Sequence, residues 1–134
     1  MSAEKMKNPM CGEVRVDCYV AVFDKFNAEY PDARFEVITR QTIPGIGHTT
    51  PSVLSPTWSL LTAAKQEGWS MDQYCAELAK QFNGDVAALV LINELAKVVY
   101  GGKDVFLVCF EKDPGRCHRG FVKTLVDMCV RELT

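Results

Sequence analysis

One apolar stretch restricts the folds open to this chain more than any other feature of the sequence. Residues 105–110 read Val-Phe-Leu-Val-Cys-Phe, a continuous apolar run inside a predicted strand over residues 103–110. A strand with one face in water alternates apolar and polar residues, whereas a continuous run is typical of a central strand covered on both faces. The run therefore predicts an α/β domain whose helices cover a buried parallel strand.

The remaining segments predict the elements around that strand. Strands are expected over residues 14–23 and 34–40, with a polar connection over residues 24–31 that has room for one helical turn. Three helices are expected to begin at Ser55-Pro56, Ser70 and Asp85, because these residues are favourable N-caps, and a last helix covers residues 117–133. The order indicates one α/β domain over residues 1–134. Its sheet is small, mainly parallel and of about three or more strands, and residues 1–12 are expected to be a flexible N-terminal segment.

Two details of the helices are also expectations. Residues 86–92 are apolar nearly all round, so this helix should pack between other elements. The last helix should turn Phe121, Leu125 and Met128 inward. Gly68 should end the helix that begins at Ser55-Pro56 by taking the left-handed conformation.

Charge and apolar patterning exclude several classes of protein. A formal net charge of -2 argues against non-specific nucleic-acid binding, which needs a basic surface. The longest apolar run, over residues 86–92, is too short to cross a bilayer. The N-terminus has no apolar stretch typical of a secretory signal. We therefore expect a cytoplasmic protein with no membrane partner, whose six cysteines are reduced.

Residues 109–119 concentrate reactive groups where the buried strand turns into the last helix. Ligands of α/β proteins bind where strand carboxyl ends face helix N-termini. Cys117 is the expected nucleophile, since a helix N-terminus lowers a thiol pKa. His118 is the expected proton carrier near neutral pH. Arg119 and Arg116 are expected to hold an anion.

Three further residues are candidates for the same site. Cys109 ends the strand within reach of Cys117, and Glu111 is an acid, a base or a partner of the arginines. Arg40 ends the second strand and points toward the same rim if the strands are parallel. His48 lies in a long loop over residues 41–54 and is assigned no role. Trp58 is expected to be a packing residue.

The spacing argues against two familiar sites and leaves others open. A phosphatase loop needs five residues between Cys and Arg, and six separate Cys109 from Arg116. A structural zinc site needs four ligands, and Cys109, Cys117 and His118 supply three. A redox pair of the two cysteines requires α-carbons within about 7 Å. The same residues are also compatible with a purely structural turn.

The segment from Cys109 to Arg119, Cys-Phe-Glu-Lys-Asp-Pro-Gly-Arg-Cys-His-Arg, resembles the C-[FYW]-E-K-x-x-x-x-C-H-R signature of the domain of unknown function 488 family. Further similarities are Ile38-Thr39-Arg40 followed by Pro44, the segment 54–58, and Tyr74. The resemblance implies an α/β fold and a cytoplasmic protein, and implies no activity.

The leading hypothesis is a small enzyme-like protein that binds an anionic small molecule, a nucleotide or a phosphorylated metabolite, at the Cys-His-Arg helix N-terminus. The alternatives are a non-catalytic binding or regulatory module, and a cysteine-based metal or redox site. No cofactor and no metal is assigned. The substrate, the reaction and the oligomeric state stay open.

Overall fold

The structure, a computed structural model, describes residues 11–40, 52–111 and 117–133. It contains a three-stranded parallel sheet of β1 (Val14–Arg15), β2 (Arg34–Val37) and β3 (Val105–Val108), in the order β1-β3-β2. All four residues of β3 are buried. The prediction of a central strand in an α/β domain is confirmed, and the registered pairs are all parallel.

The first predicted strand is largely wrong. β1 ends at Arg15, and the chain pairs with β3 once more through a bridge between Tyr19 and Cys109. A 3₁₀ turn follows at Val20–Val22, and α1 runs over Phe23–Glu29, where a polar connection was expected. Apolar contacts explain the change, because ring stacking against the sheet outweighs the β propensity of this segment. The Phe26 ring packs 5.3 Å from that of Phe106.

Four longer helices follow: α2 (Trp58–Glu67), α3 (Met71–Asn83), α4 (Val86–Tyr100) and α5 (Arg119–Leu133). Ser70 and Asp85 are the N-caps of α3 and α4, as predicted, and each side chain accepts a backbone N–H bond. Gly68 ends α2 with φ 64°, also as predicted. α2 begins two residues later than expected, because Thr57 is the residue whose hydroxyl caps it, by accepting from the Leu60 N–H.

α4 and α5 pack against one face of the sheet and form the larger core with it. The buried stripe of α4 includes Ile92, Leu95 and Val99, and α5 contributes Val122 and Val126. Their spacing of three and four residues is that of one helix face. This core fixes where the N-terminus of α5 meets the end of β3.

Two expectations about these helices are wrong. Val86, Leu89 and Val90 of α4 are exposed, so the first half of that helix is not enclosed between other elements. Met128 of α5 is 48 % exposed rather than buried, because the buried stripe runs through Val126 and leaves Met128 on the opposite side.

The N-terminal end of the described chain is fixed to the core. The Gly12 N–H donates to the Val99 carbonyl at 2.8 Å. A Cβ at Gly12 would lie 2.0 Å from the Lys103 carbonyl oxygen, so only glycine fits there. Residues 1–10 of the predicted flexible segment lie outside the described residues.

Within the described residues, no helix is long and apolar enough to cross a membrane.

Candidate functional site

A pocket of about 300 Å³ opens at the carboxyl edge of the sheet, where ligands of parallel α/β proteins bind. It gathers residues that follow β2 and β3 with residues at the N-termini of α2 and α5 and one from α3. The lining residues are Thr39, Arg40, Pro56, Trp58, Leu61, Tyr74, Cys109, Phe110, Glu111, Cys117 and His118. Five residues singled out from the sequence thus meet in one pocket: Arg40, Cys109, Glu111, Cys117 and His118.

Two thiols and an imidazole form the inner wall of this pocket. The Cys109 and Cys117 sulfurs and an imidazole nitrogen of His118 all lie within 4.8 Å of one another. The Cys117 sulfur is 3.6 Å from His118 Nδ1 and within 4.8 Å of the Cys109 sulfur. The inner wall therefore carries a coupled pair of sulfurs rather than one isolated nucleophile.

The pKa of Cys109 is lowered to about 6. The hydrogen bond from the Cys117 thiol is the largest cause; burial opposes it, and the backbone N–H groups of Glu111 and Phe110 and the Arg119 charge assist it. The same hydrogen bond, together with burial, raises the pKa of Cys117. Two adjacent thiols in one pocket do not both ionise, because like charges repel strongly at this separation.

The contact between the two sulfurs disfavours the expected thiolate at Cys117, because it raises the pKa of Cys117 and lowers that of Cys109. The helix N-terminus does act on Cys117, since the Arg119 backbone N–H lowers its pKa. That contribution is smaller than the effect of the neighbouring sulfur.

His118 is buried, and its pKa is lowered to about 4. Burial is the main cause, because it disfavours the imidazolium, and the Arg119 charge adds to it. The backbone carbonyls of Ile38 and Leu54 act in the opposite direction. Burial thus favours the neutral imidazole at pH 7, in place of the titration near neutrality that the sequence suggested.

Arg119 lies behind the pocket and not in its lining. Its side chain is fully buried; Nη1 donates to the Cys18 carbonyl at 2.7 Å and Nη2 donates to the Glu111 carbonyl. These bonds tie the start of α5 to the segment that follows β1 and to the chain that leaves β3. The positive charge of Arg119 still affects the pocket, because it helps to lower the pKa of Cys109.

Arg40 joins the end of β2 to the start of α2. Its Nε donates to the Pro56 carbonyl at 2.9 Å and its Nη2 to the Ser55 carbonyl at 3.1 Å. The guanidinium also lines the pocket, beside the N-terminus of α2. Arg40 and two helix N-termini, which carry partial positive charge, therefore border one cavity.

Two aromatic residues of the pocket had no functional assignment from the sequence. Trp58 is 57 % exposed at the pocket, although it was expected to be a packing residue. Tyr74 lies with its ring centroid 6.4 Å from that of His118. Burial raises the pKa of Tyr74, and the nearby sulfurs add to the effect. Tyr74 was marked only by the family resemblance, and no local pattern places either residue at a pocket.

The three ligand atoms of the inner wall can also hold a metal ion. Catalytic zinc sites use three protein ligands and leave a fourth position open, and two cysteines with one histidine are a known set. Cys109, Cys117 and His118 supply that set among the described residues. Arg116 and His48 lie outside the described residues.

Fold and site together define a class: a single α/β domain with a thiol-lined pocket at the carboxyl edge of a parallel sheet. The chain belongs to the DUF488 family, because the family model DUF488-N3a, described as the Active DUF488-N3 subclade, matches residues 48–128, more than half of the chain. The match assigns no role to any residue. No curated protein and no solved structure matches the chain.

Proposed function

We propose that this protein is a small enzyme that binds an anionic small molecule, a nucleotide or a phosphorylated metabolite, and attacks it with Cys109. One observation carries the proposal: Arg40, Cys109, Cys117 and His118 come from separate segments of the fold and line the same pocket. A purely structural turn has no need to bring a strand-end arginine to a pair of thiols. The family description as an active subclade agrees with a reacting group at this site.

The surroundings of the pocket support an anionic ligand. Arg40 supplies a fixed positive charge, and the N-termini of α2 and α5 add partial positive charges through the helix dipoles. Such helix ends favour phosphate. Trp58, Tyr74 and Phe110 offer aromatic surface for the base or sugar face of the same ligand. A volume of about 300 Å³ lies at the lower end of the usual range for small-molecule sites, which favours a mononucleotide-sized ligand or smaller.

The proposed reaction is group transfer through a cysteinyl intermediate. The Cys109 thiolate attacks the electrophilic atom of the ligand, a sulfur bond to that group forms, and the bond to the leaving group breaks. The leaving group takes the proton of the Cys117 thiol. In the second half, the Cys117 thiolate removes a proton from water, which attacks the transferred group. This step releases the Cys109 thiolate and restores the Cys117 thiol.

The coupling between the two sulfurs suits this sequence. The Cys109 thiolate is what holds the pKa of Cys117 high. Once Cys109 has formed a covalent bond, its negative charge is gone, and Cys117 becomes a stronger acid at the moment when the leaving group needs a proton. His118 Nδ1 lies 3.6 Å from the Cys117 sulfur and positions it by a hydrogen bond.

The test is protection of Cys109 against iodoacetamide, followed by peptide mass spectrometry. Inorganic phosphate, uridine monophosphate and ribose phosphate are the probes, and Cys129, which does not line the pocket, is the internal control thiol. We expect at least one phosphorylated probe to slow modification of Cys109 saturably and to leave Cys129 unchanged. The probe should also be turned over by the wild type and not by Cys109→Ala.

Arg40→Gln tests the anion contact. Loss of a charge-assisted hydrogen bond costs about 1.5–3 kcal/mol, so the protecting concentration should rise about tenfold or more. Arg40→Lys is the matched control because it keeps the charge. Equal protection by all probes, or protection that Arg40→Gln leaves unchanged, would contradict the proposal.

A zinc centre is the second candidate function, because three suitable ligand atoms lie within 4.8 Å. Purified protein would then contain about one zinc per chain, and Cys109→Ser, Cys117→Ser and His118→Gln would each lose it. Alkylation of Cys109 would be slow until a chelator removed the metal. Metal-free protein that alkylates rapidly without chelator would exclude this candidate.

A further inference from the structure

Two of the six cysteines differ from the rest in sharing one cavity. Cys109 follows β3 and Cys117 precedes α5, and both line the pocket, while the other four cysteines do not. All six are free thiols. Because the Cys109 and Cys117 sulfurs lie within 4.8 Å, they need to approach by no more than about 3 Å to reach the S–S bond length of about 2 Å.

Access singles out which sulfur reacts first. Cys109 is partly exposed at the pocket whereas Cys117 is buried, so small solutes reach the Cys109 sulfur first. Oxidation by peroxides follows thiolate character and exposure. A resolving thiol next to the reacting sulfur, here within 4.8 Å, is the arrangement found in cysteines that oxidise reversibly.

We propose that hydroperoxides convert Cys109 and Cys117 into a reversible disulfide that blocks the pocket chemistry. The Cys109 thiolate attacks the outer oxygen of the peroxide and the O–O bond breaks. Cys109 becomes a sulfenic acid, and the alkoxide or hydroxide that leaves takes a proton from water. The Cys117 sulfur then attacks the sulfenic sulfur, an S–S bond forms, and water departs with the thiol proton. The two sulfurs lose two electrons, which the peroxide gains.

The disulfide has a direct consequence for the site. It removes both the thiolate of Cys109 and the thiol proton of Cys117, because the two sulfurs are bonded to each other. A dithiol reductant reverses the bond and restores both groups. Formation of the disulfide depends only on Cys109 and Cys117. The effect of the disulfide on turnover rests on the proposed function.

The experiment treats reduced, chelator-washed protein with one equivalent of hydrogen peroxide and maps the peptides by mass spectrometry. We expect a Cys109–Cys117 bond that forms faster than any other oxidation and disappears with dithiothreitol. Cys129→Ser, the matched control, should form the same bond. In Cys117→Ser the sulfenic acid at Cys109 should persist and be trapped by dimedone. Circular dichroism and reversal by dithiothreitol separate oxidation from unfolding.

Three results would overturn the inference: an unreactive Cys109, a bond between other cysteines, or direct conversion of wild-type Cys109 to sulfinic acid. None of them bears on ligand protection, which the reduced protein reports separately. Conversely, a clean disulfide without any protecting ligand would leave the oxidation site standing and remove the anionic substrate.

Discussion

Replacing Cys117 by alanine should raise the pKa of Cys109 from about 6 toward its ordinary value of 9.0, because the Cys117 thiol supplies the largest of the interactions that lower it. Serine at the same position keeps a hydroxyl donor. Cys117→Ser should therefore preserve most of the lowering that Cys117→Ala removes. Comparing Cys117→Ala with Cys117→Ser separates the effect of the hydrogen bond from other effects of replacing residue 117.

The magnitude decides which observable to measure. A thiol with a pKa of about 6 is about 90 % ionised at pH 7, whereas one with a pKa of 9.0 is about 1 % ionised. Intrinsic nucleophilicity falls with pKa, and a Brønsted coefficient of about 0.4–0.5 makes the thiolate of lower pKa roughly 20-fold slower over this interval. The two effects leave wild-type Cys109 only about four times faster than an ordinary thiol at pH 7. A rate at one pH is thus a weak test, and the midpoint of the pH profile is a strong one.

The assay follows the reaction of a dipyridyl disulfide with Cys109 from pH 4.5 to 9.5. The other thiols are assigned by peptide mapping. Wild type and Cys117→Ser should give midpoints near pH 6, and Cys117→Ala should give a midpoint at least one unit higher. A wild-type midpoint above pH 8, or equal midpoints in all three proteins, would refute the sulfur-to-sulfur hydrogen bond as the cause.

Three further substitutions test a buried histidine of the site and the packing of two other regions of the fold. His118 binds a proton more readily when unfolded, since folding lowers its pKa from 6.5 to about 4, so stability should be lost as the pH falls from 6.5 to 4. Denaturant titrations should give a loss of about 3 kcal/mol over this window that His118→Asn reduces. Equal pH dependence in the wild type and His118→Asn would contradict it. Phe106→Ala should lower the free energy of unfolding by about 3–5 kcal/mol, because the Phe106 ring is fully buried and stacks 4.8 Å from that of Phe35; a loss below about 1 kcal/mol in urea would refute this packing. Gly12→Ala should cost about 2 kcal/mol by forcing a methyl group against a backbone carbonyl, and an unchanged melting temperature would count against that contact.

The sequence predicted those parts of the fold that depend on local chemistry. The continuous apolar run identified β3, and the N-caps Ser70 and Asp85 identified α3 and α4. Both signals depend only on residues that are close together in the sequence. The strand predicted over residues 14–23 is largely wrong for the opposite reason. Its aromatic and β-branched residues favour a strand locally, and contacts with a distant residue, Phe106, make part of it helical instead.

The candidate site was also predictable from the sequence only in part. Its position followed from the turn between β3 and α5, and Arg40 was expected at the same rim from the parallel sheet alone. The roles of its residues did not follow. Which of two thiols ionises, and whether a histidine is neutral, depend on burial and on through-space neighbours that no local pattern encodes.

Arg119 supplies an independent argument for the charge on Cys109. Its guanidinium is fully buried and, among the described residues, bonds two carbonyl groups and no carboxylate. A buried cation is costly unless an anion accompanies it, and carbonyl dipoles compensate a full charge only in part. The Cys109 thiolate, whose pKa the Arg119 charge lowers, is an anion available to it.

Cation and thiolate should therefore stabilise each other, and a double-mutant cycle measures how strongly. Cys109→Ser removes the anion and Arg119→Met removes the cation, and each alone should destabilise the fold at pH 7.5. The double variant should be less destabilised than the sum of the two by about 1 kcal/mol or more, and the coupling should vanish at pH 5, where Cys109 is protonated. Additive losses of stability at both pH values would mean that Arg119 interacts only with its two carbonyl partners. The burial of Arg119 would then no longer support a thiolate at Cys109.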